Sequence, residues 1–326
     1  VSQGFDVVSM SRRQSEFQTS SWIPYDFTAT SVSNLPPKTL ALIHLAANTV
    51  TAHNTDSIME LRSVRLLLSA TKKIGAKFIF VSSQTARADA PTSYGLTKWA
   101  IEKEVLAAGG FVVRPGLVYG GIERGIFGTL VKVTRRLPLL PAFLPAPKIQ
   151  LIHVDDLAEG LLSIVKNNII KSSVLCLASP IPIKCSKFML AIAQVRVRRC
   201  RLLVPVPVLF IHLIGSMIGK HWGSLLGIAQ LKSLFYLPLV NTNSDLKQLN
   251  LNLRPLLSGL HPSGNDRRRR LICEGSALLC YVLKVRPDSD LLRRYVRAVE
   301  KLRGGSPLFL PSWVAKWPIT VGLFDS

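Results

Sequence analysis

Three short runs that are apolar at almost every position constrain this chain more than any other feature: TLALIHLAA (39 to 47), AKFIFVSS (76 to 83) and FVVR (111 to 114). A strand apolar at alternate positions hides one face, whereas a strand apolar throughout is buried on both, as in a parallel sheet covered by helices. Between the first two runs, DSIMELRSVRLLLSATKKIG (56 to 75) places Ile58, Leu61, Val64 and Leu68 at helical spacing and ends on Gly75. A second helix, residues 94 to 108, closes on Gly109-Gly110 and leads into the third run, where Pro115 limits the strand to about Phe111 to Arg114. FDVVSMS (5 to 11) reads as an earlier strand after a turn at Gly4. Strand and helix alternate, which predicts an α/β fold with a doubly wound parallel sheet.

Composition narrows the class further. With 48% apolar residues in 326, the chain has ample surface to bury against the entropy of ordering, so disorder is excluded. The formal charge of +22 raises nucleic acid as a partner. The basic runs RRRR (267 to 270) and VRVRRCR (195 to 201) lack the interleaved aromatics of a base-stacking surface, so no nucleic acid is expected. An anionic small substrate, or solvated charged faces, accounts for the charge more simply. The most apolar region, 202 to 231, has only Leu202 to Gly219 between charges, contains His212 and includes Pro205 and Pro207. It reads as a buried or groove-lining helix rather than a span, and membrane-surface contact ranks below that. Five cysteines with no C-x-x-C pair give neither a disulfide framework nor a zinc site, and they suit a reducing, cytoplasmic compartment.

From residue 122 the texture changes to a basic helix, GTLVKVTRRL, a proline-rich connector, PLLPAFLPAPK, and then IQLIHVDDLAEGLLSIVKN. SSVLCLASPIPI (172 to 183) is strand-like. The expected organisation is a nucleotide-binding domain over 1–170, a substrate-binding region over 171–264 with an excursion at 122–150, and a basic helical extension over 265–326. In that extension SDLLRRYVRAVEKLRGG reads as an amphipathic helix capped by Ser289, with an apolar stripe of Leu292, Tyr295, Val299 and Leu302.

The chemistry concentrates in PTSYGLTKWAIE (91 to 102). Tyr94 and Lys98 are four apart, so they share a helix face, and an ammonium beside a phenol is expected to lower the tyrosine pKa toward working pH. A Y-x-x-x-K pair alone is a common surface pattern. Here, Ser82 and Ser83 stand eleven residues ahead at the C-terminal end of an apolar strand, the edge where open α/β sheets bind ligands. His153, Asp155 and Asp156 also cluster, but Asp-Asp leading into LAEGLL reads as a helix entry in which an aspartate caps backbone N–H groups, and no metal site is expected.

Taken in order, LIHLAA, FIFVSS, YGLTKWAIE, VVRPGLVYG and IHVDDLAEGL resemble the motifs of the extended short-chain dehydrogenase/reductase superfamily, in its NAD-dependent epimerase/dehydratase branch. The resemblance covers residues 1 to about 262. It implies a Rossmann-like domain for NAD or NADP, a smaller C-terminal substrate region, and hydride transfer at a secondary alcohol or ketone, with a nucleotide sugar favoured. By it Tyr94 is the catalytic base, Lys98 the ribose-binding and pKa-lowering lysine, and Ser83 the substrate-polarising hydroxyl. The resemblance further implies that Ala46 and Ala47 let the cofactor approach the strand end, that Pro115 sits beside the nicotinamide, and that Asp26 bonds the adenine amino group.

Arg12, followed by Arg13, stands where arginine accommodates a 2′-phosphate, which leans toward NADP. The family's first strand and glycine-rich turn are expected upstream of GFDVV, so the sequence reads as N-terminally truncated. MELRSVR replaces the family's asparagine and Gly-Thr, and RPGLVYGG lacks an asparagine for a diphosphate. Two alternatives follow: an NADP-linked ketone reductase on a non-sugar substrate, or a non-catalytic Rossmann-like remnant acting as a binding protein. The expected partner is a small-molecule substrate, and a homodimer is compatible with the sequence.

Overall fold

The structure is a computed structural model that describes residues 4–14, 21–26, 28, 35–46, 54–167, 170–207, 235, 237–261, 265–301 and 317–324. In chain order the elements are β1 (Val8–Ser11), β2 (Ser21–Pro24), β3 (Ala41–His44), α1 (Asn54–Lys73), β4 (Lys77–Val81), α2 (Ser93–Ala107), β5 (Phe111–Pro115) and β6 (Leu117–Tyr119). They continue with α3 (Gly125–Arg136), β7 (Leu139–Leu144), β8 (Lys148–Ile149), β9 (Leu151–His153), α4 (Val154–Lys166), β10 (Val174–Leu177), β11 (Ile183–Lys184), α5 (Cys185–Ala191) and β12 (Leu202–Pro207). The last helices are α6 (Asn243–Gln248), α7 (Leu256–Gly259), α8 (Asn265–Leu283) and α9 (Ser289–Lys301). The chain divides into two compact units, the first comprising 1–115, 159–177 and 244–249 and the second the remainder.

The first unit holds the parallel sheet that the apolar runs predict, in the order β10-β5-β4-β3, with β1 and β2 as a separate parallel pair. Its core joins Val64 and Leu67 of α1, Phe78 and Phe80 of β4, and Ile101 and Val105 of α2. Each such side chain, fully buried, is worth about 1.5–3 kcal/mol. The α1 face differs from the expected stripe. Ile58 is 68% exposed, while Glu60, Ser63, Val64, Leu67 and Thr71 are the buried positions. The true inward face is therefore shifted round the helix and is partly polar. Lys77 Nζ donates to the carbonyls of Ile164, Val165 and Asn167 at 3.1, 2.9 and 2.8 Å, placing a cation where the end of α4 leaves carbonyls free.

The second unit contains parallel β6–β9, antiparallel β8–β11 and parallel β7–β12 pairs. Its core gathers Tyr119, Phe127, Leu130, Leu140, Phe188 and Ile192. Two expectations are corrected here. The proline-rich connector is a strand, β7, because its partner β12 is itself proline-bearing and a two-stranded ladder tolerates missing donors at its edges. Residues 202–207, expected to start a buried helix, form the exposed strand β12; residues 208–231 lie outside the described residues.

In the C-terminal extension, α8 packs on α9 through Leu271, Val296 and Val299, and the buried Glu274 of α8 pairs with Arg198. Asp288 rather than Ser289 caps α9, its Oδ1 accepting from the N–H of Leu291 at 2.6 Å. Among the described residues no helix is long and apolar enough to cross a membrane.

Candidate active site

The residues singled out in PTSYGLTKWAIE are positioned by the start of α2. Thr92 is its N-cap, in an extended conformation, with Oγ1 accepting from the N–H of Gly95 at 3.2 Å. Position 95 must be glycine for a packing reason: an added Cβ would lie 2.7 Å from both Ala90 Cβ and Thr85 O. That contact seats the first turn of α2, and Tyr94 with it, against the loop that leaves β4.

Ser82 and Ser83 follow β4 as expected. The N–H of Ser82 bonds to Val113 O at 2.8 Å, continuing the ladder toward β5. Ser83 begins a turn in which its Oγ lies 2.9 Å from Thr85 Oγ1 and accepts the Thr85 N–H at 3.2 Å. Ser83 also lies near enough to the Tyr94 phenol to offset part of its upward shift. Serine, tyrosine and lysine thus meet at the C-terminal edge of the four-stranded sheet.

Lys98 is buried, with Nζ donating to Val81 O at 3.1 Å and lying 4.5 Å from the centre of the Phe80 ring and 5.9 Å from that of Tyr94. Burial brings its pKa down to about 8 against the opposing charges of Glu60 and Glu102. The expectation that Lys98 draws the Tyr94 phenol toward neutrality is corrected. Tyr94 is raised above its ordinary value, first by burial and then by the charge of Glu60, and Ser83 only partly offsets this. The lysine charge is engaged at the end of β4 and by two carboxylates, while the phenol is desolvated.

Three contributors carried no motif in the sequence. Glu60, on the inward face of α1, adds negative charge to both Tyr94 and Lys98; its signal is the helical spacing of 60, 64, 67 and 71, which sets a glutamate in line with apolar residues. His44 ends β3, buried between Phe78 and Phe80 with ring centres at 6.2 and 5.7 Å. Burial, then the charge of Lys98, lowers it to about 4, so it is neutral at working pH. Glu102, one turn beyond Lys98, is held by Arg114 of β5 through Nε at 2.9 Å and through Nη2.

The remaining expected positions spread along the sheet edge. Pro115 closes β5 opposite Leu177, and Ala46 is exposed after β3. Asp26 follows β2, and Ala47 lies outside the described residues. Arg12 and Arg13, with Ser11, line a cavity of about 540 Å³. That cavity lies at the end of β1, where the two arginines stand side by side in sequence.

In the second unit, Asp155 and Asp156 do not cap their helix by their carboxylates. Asp156 accepts the Arg254 N–H at 3.0 Å and its Nε at 2.6 Å, Asp155 accepts Arg254 Nη1 at 3.0 Å, and His153 Nδ1 accepts the Asp155 N–H at 3.2 Å. They fix the segment before α7.

No protein-family model matches the chain. The solved structure of MoeE5 in complex with UDP-glucuronic acid and NAD superposes with a TM-score of 0.55 at 18% identity, covering 79% of this chain and 89% of that one. The chain has the Rossmann-type fold of the epimerase/dehydratase short-chain dehydrogenase/reductases. Open parallel α/β sheets bind ligands at the C-terminal edge of their strands, and Ser83 and the start of α2 lie at that edge here.

Among curated proteins, the chain is 32% identical over 108 residues to a ceramide reductase of Caulobacter vibrioides (strain NA1000 / CB15N), covering 32% of this chain and 34% of that protein. It is also 34% identical over 92 residues to the mitochondrial NADH dehydrogenase [ubiquinone] 1 alpha subcomplex subunit 9 of Dictyostelium discoideum, covering 28% and 26%. The matched segment spans about a third or less of each curated relative.

Proposed function

We propose that the chain is an NAD(P)-dependent oxidoreductase acting at a ketone or secondary alcohol, with Tyr94 as its proton-transfer residue. The observation that carries this reading is the meeting of Ser83, Tyr94 and Lys98 at the C-terminal edge of the parallel sheet. A nicotinamide held at this edge would supply or accept the hydride. This chain's residues manage the proton. With its pKa raised, Tyr94 is a neutral phenol at working pH, so its Oη–H donates to a carbonyl oxygen as that oxygen gains negative charge. Ser83, near the same phenol, would orient that oxygen.

Lys98 is kept close to neutral pH by burial and so can return a proton to the site without a large barrier. It and Tyr94 are the residues that would hold the nicotinamide ribose, and Arg12 and Arg13 would receive a 2′-phosphate, which favours NADP. A phenol that starts protonated suits reduction better than oxidation.

Two substrate classes are favoured by separate observations. The reductase reading, on a non-sugar ketone, is supported by the protonated Tyr94 and by the similarity to a protein named ceramide reductase. The nucleotide-sugar reading is supported by the fold shared with a protein solved with UDP-glucuronic acid and NAD. Consumption of NADPH and NADH, followed with long-chain ketones and with UDP-hexoses, separates them. Turnover on ketones that disappears in Tyr94→Phe supports the first. Turnover on neither class, or full activity in Tyr94→Phe, removes the catalytic assignment.

A further inference from the structure

The β7–β12 ladder in the second unit is unusual in what it leaves uncovered. Residues paired across a parallel ladder point to the same side, and the pair Leu139–Leu202 is 51% and 71% exposed. Val204, two residues beyond Leu202 and so on the same side, is 39% exposed. An apolar cluster exposed on one side of a strand pair in this way marks an interaction surface rather than a chance leucine.

The entrance to this ladder is strongly basic. Arg201 Nε donates to Thr134 O at 3.0 Å, and Arg199 Nη1 and Arg201 Nη2 both donate to Arg135 O at 3.2 Å. These bonds gather the arginines of the segment before β12 onto the end of α3, next to the exposed Arg136, with Leu137 and Leu202 immediately following. The result is an apolar strip with a guanidinium cluster at its head.

We propose that this face docks on an anionic lipid bilayer surface, the leucines entering the acyl boundary and the arginines lying among headgroup phosphates. Charge selects this occupant. Each arginine near an anionic leaflet strengthens attachment about fivefold, and apolar side chains add to it in proportion to the area they bury. A second copy of the chain is disfavoured, since a twofold contact would set one guanidinium cluster against another in a chain of net charge +22. A nucleic acid is disfavoured because the exposed strip is Leu, Val and Pro, with no aromatic for a base to stack on.

The test is sedimentation of the full chain with vesicles of phosphatidylcholine, with and without phosphatidylserine. Binding only where phosphatidylserine is present, and weakening with salt, is expected. Arg136→Gln should bind about fivefold more weakly and Leu202→Asp about tenfold or more, with Leu202→Ser as a milder second variant. Val282→Ser, at an exposed apolar position on α8, should bind as the parent does. All variants should melt as the parent does, because each position is on the surface. Absence of vesicle binding by the parent, equal binding to both vesicle types, or unchanged binding by both Leu202 variants overturns the proposal. So does a concentration-dependent dimer that Leu202→Asp abolishes in a chain that ignores vesicles.

Discussion

Lys98 Nζ donates to the carbonyl of Val81 at 3.1 Å, so the helix that carries the site is tied to the strand that carries its serine. The bond uses one of the ammonium's three donors and holds Nζ 5.9 Å from the centre of the Tyr94 ring. Several consequences of that arrangement can be measured.

Tyr94 should titrate late. Ultraviolet difference titration of the parent against Tyr94→Phe is expected to place this phenol above the ordinary 10.0, because burial and Glu60 both oppose the phenolate. Glu60→Gln should bring it down, and a phenol ionising below the ordinary value in the nucleotide-free chain would contradict the described electrostatics.

His44 should make the fold acid-sensitive. Its pKa is depressed from 6.5 to about 4, so the unfolded chain binds more protons in that window. The stability it contributes is present above pH 6.5 and is lost as pH falls toward 4. The loss should be about 3 kcal/mol by denaturant unfolding, and His44→Gln should flatten that part of the profile.

Gly95→Ala should destabilise the first unit by about 1–3 kcal/mol, since its methyl group would meet backbone Thr85 O and Ala90 Cβ. Any activity should fall further than stability alone explains, because Tyr94 is the preceding residue. A Gly95→Ala chain with the parent's melting temperature would show that α2 is not held by this contact.

Arg114 and Glu102 form a pair in which the carboxylate is buried. Arg114→Met leaves the carboxylate without its hydrogen-bonded partner, with only the more remote charge of Lys98, and should cost about 3 kcal/mol, whereas Arg114→Met with Glu102→Leu should recover most of it. Additive losses in the double variant would argue against coupling.

The sheet was legible in the sequence because burial on both faces leaves a continuous apolar run, as in FIFV, which no surface element imitates. Tyr94, Lys98 and Ser83 were legible because their spacing places them at one sheet edge. Glu60 and His44 were not. A glutamate inside a helical stripe reads as solvent-facing, and Ile58 made an offset stripe look complete. The direction of the Tyr94 shift was hidden for the same reason, since it depends on desolvation and on a carboxylate from another helix. β7 and β12 escaped notice because prolines usually interrupt strands, and only their mutual pairing shows why these are tolerated.

The central claim is that this sheet edge holds a nicotinamide dinucleotide beside Tyr94, and calorimetric titration with NADPH and NADH tests it most directly. Saturable one-to-one binding is predicted, with NADPH the tighter ligand. Lys98→Met should weaken binding of both, Arg12→Ala with Arg13→Ala should weaken NADPH alone, and Tyr94→Phe, which removes one ribose contact, should weaken both less than Lys98→Met does. Failure of the chain to bind either nucleotide would contradict the account.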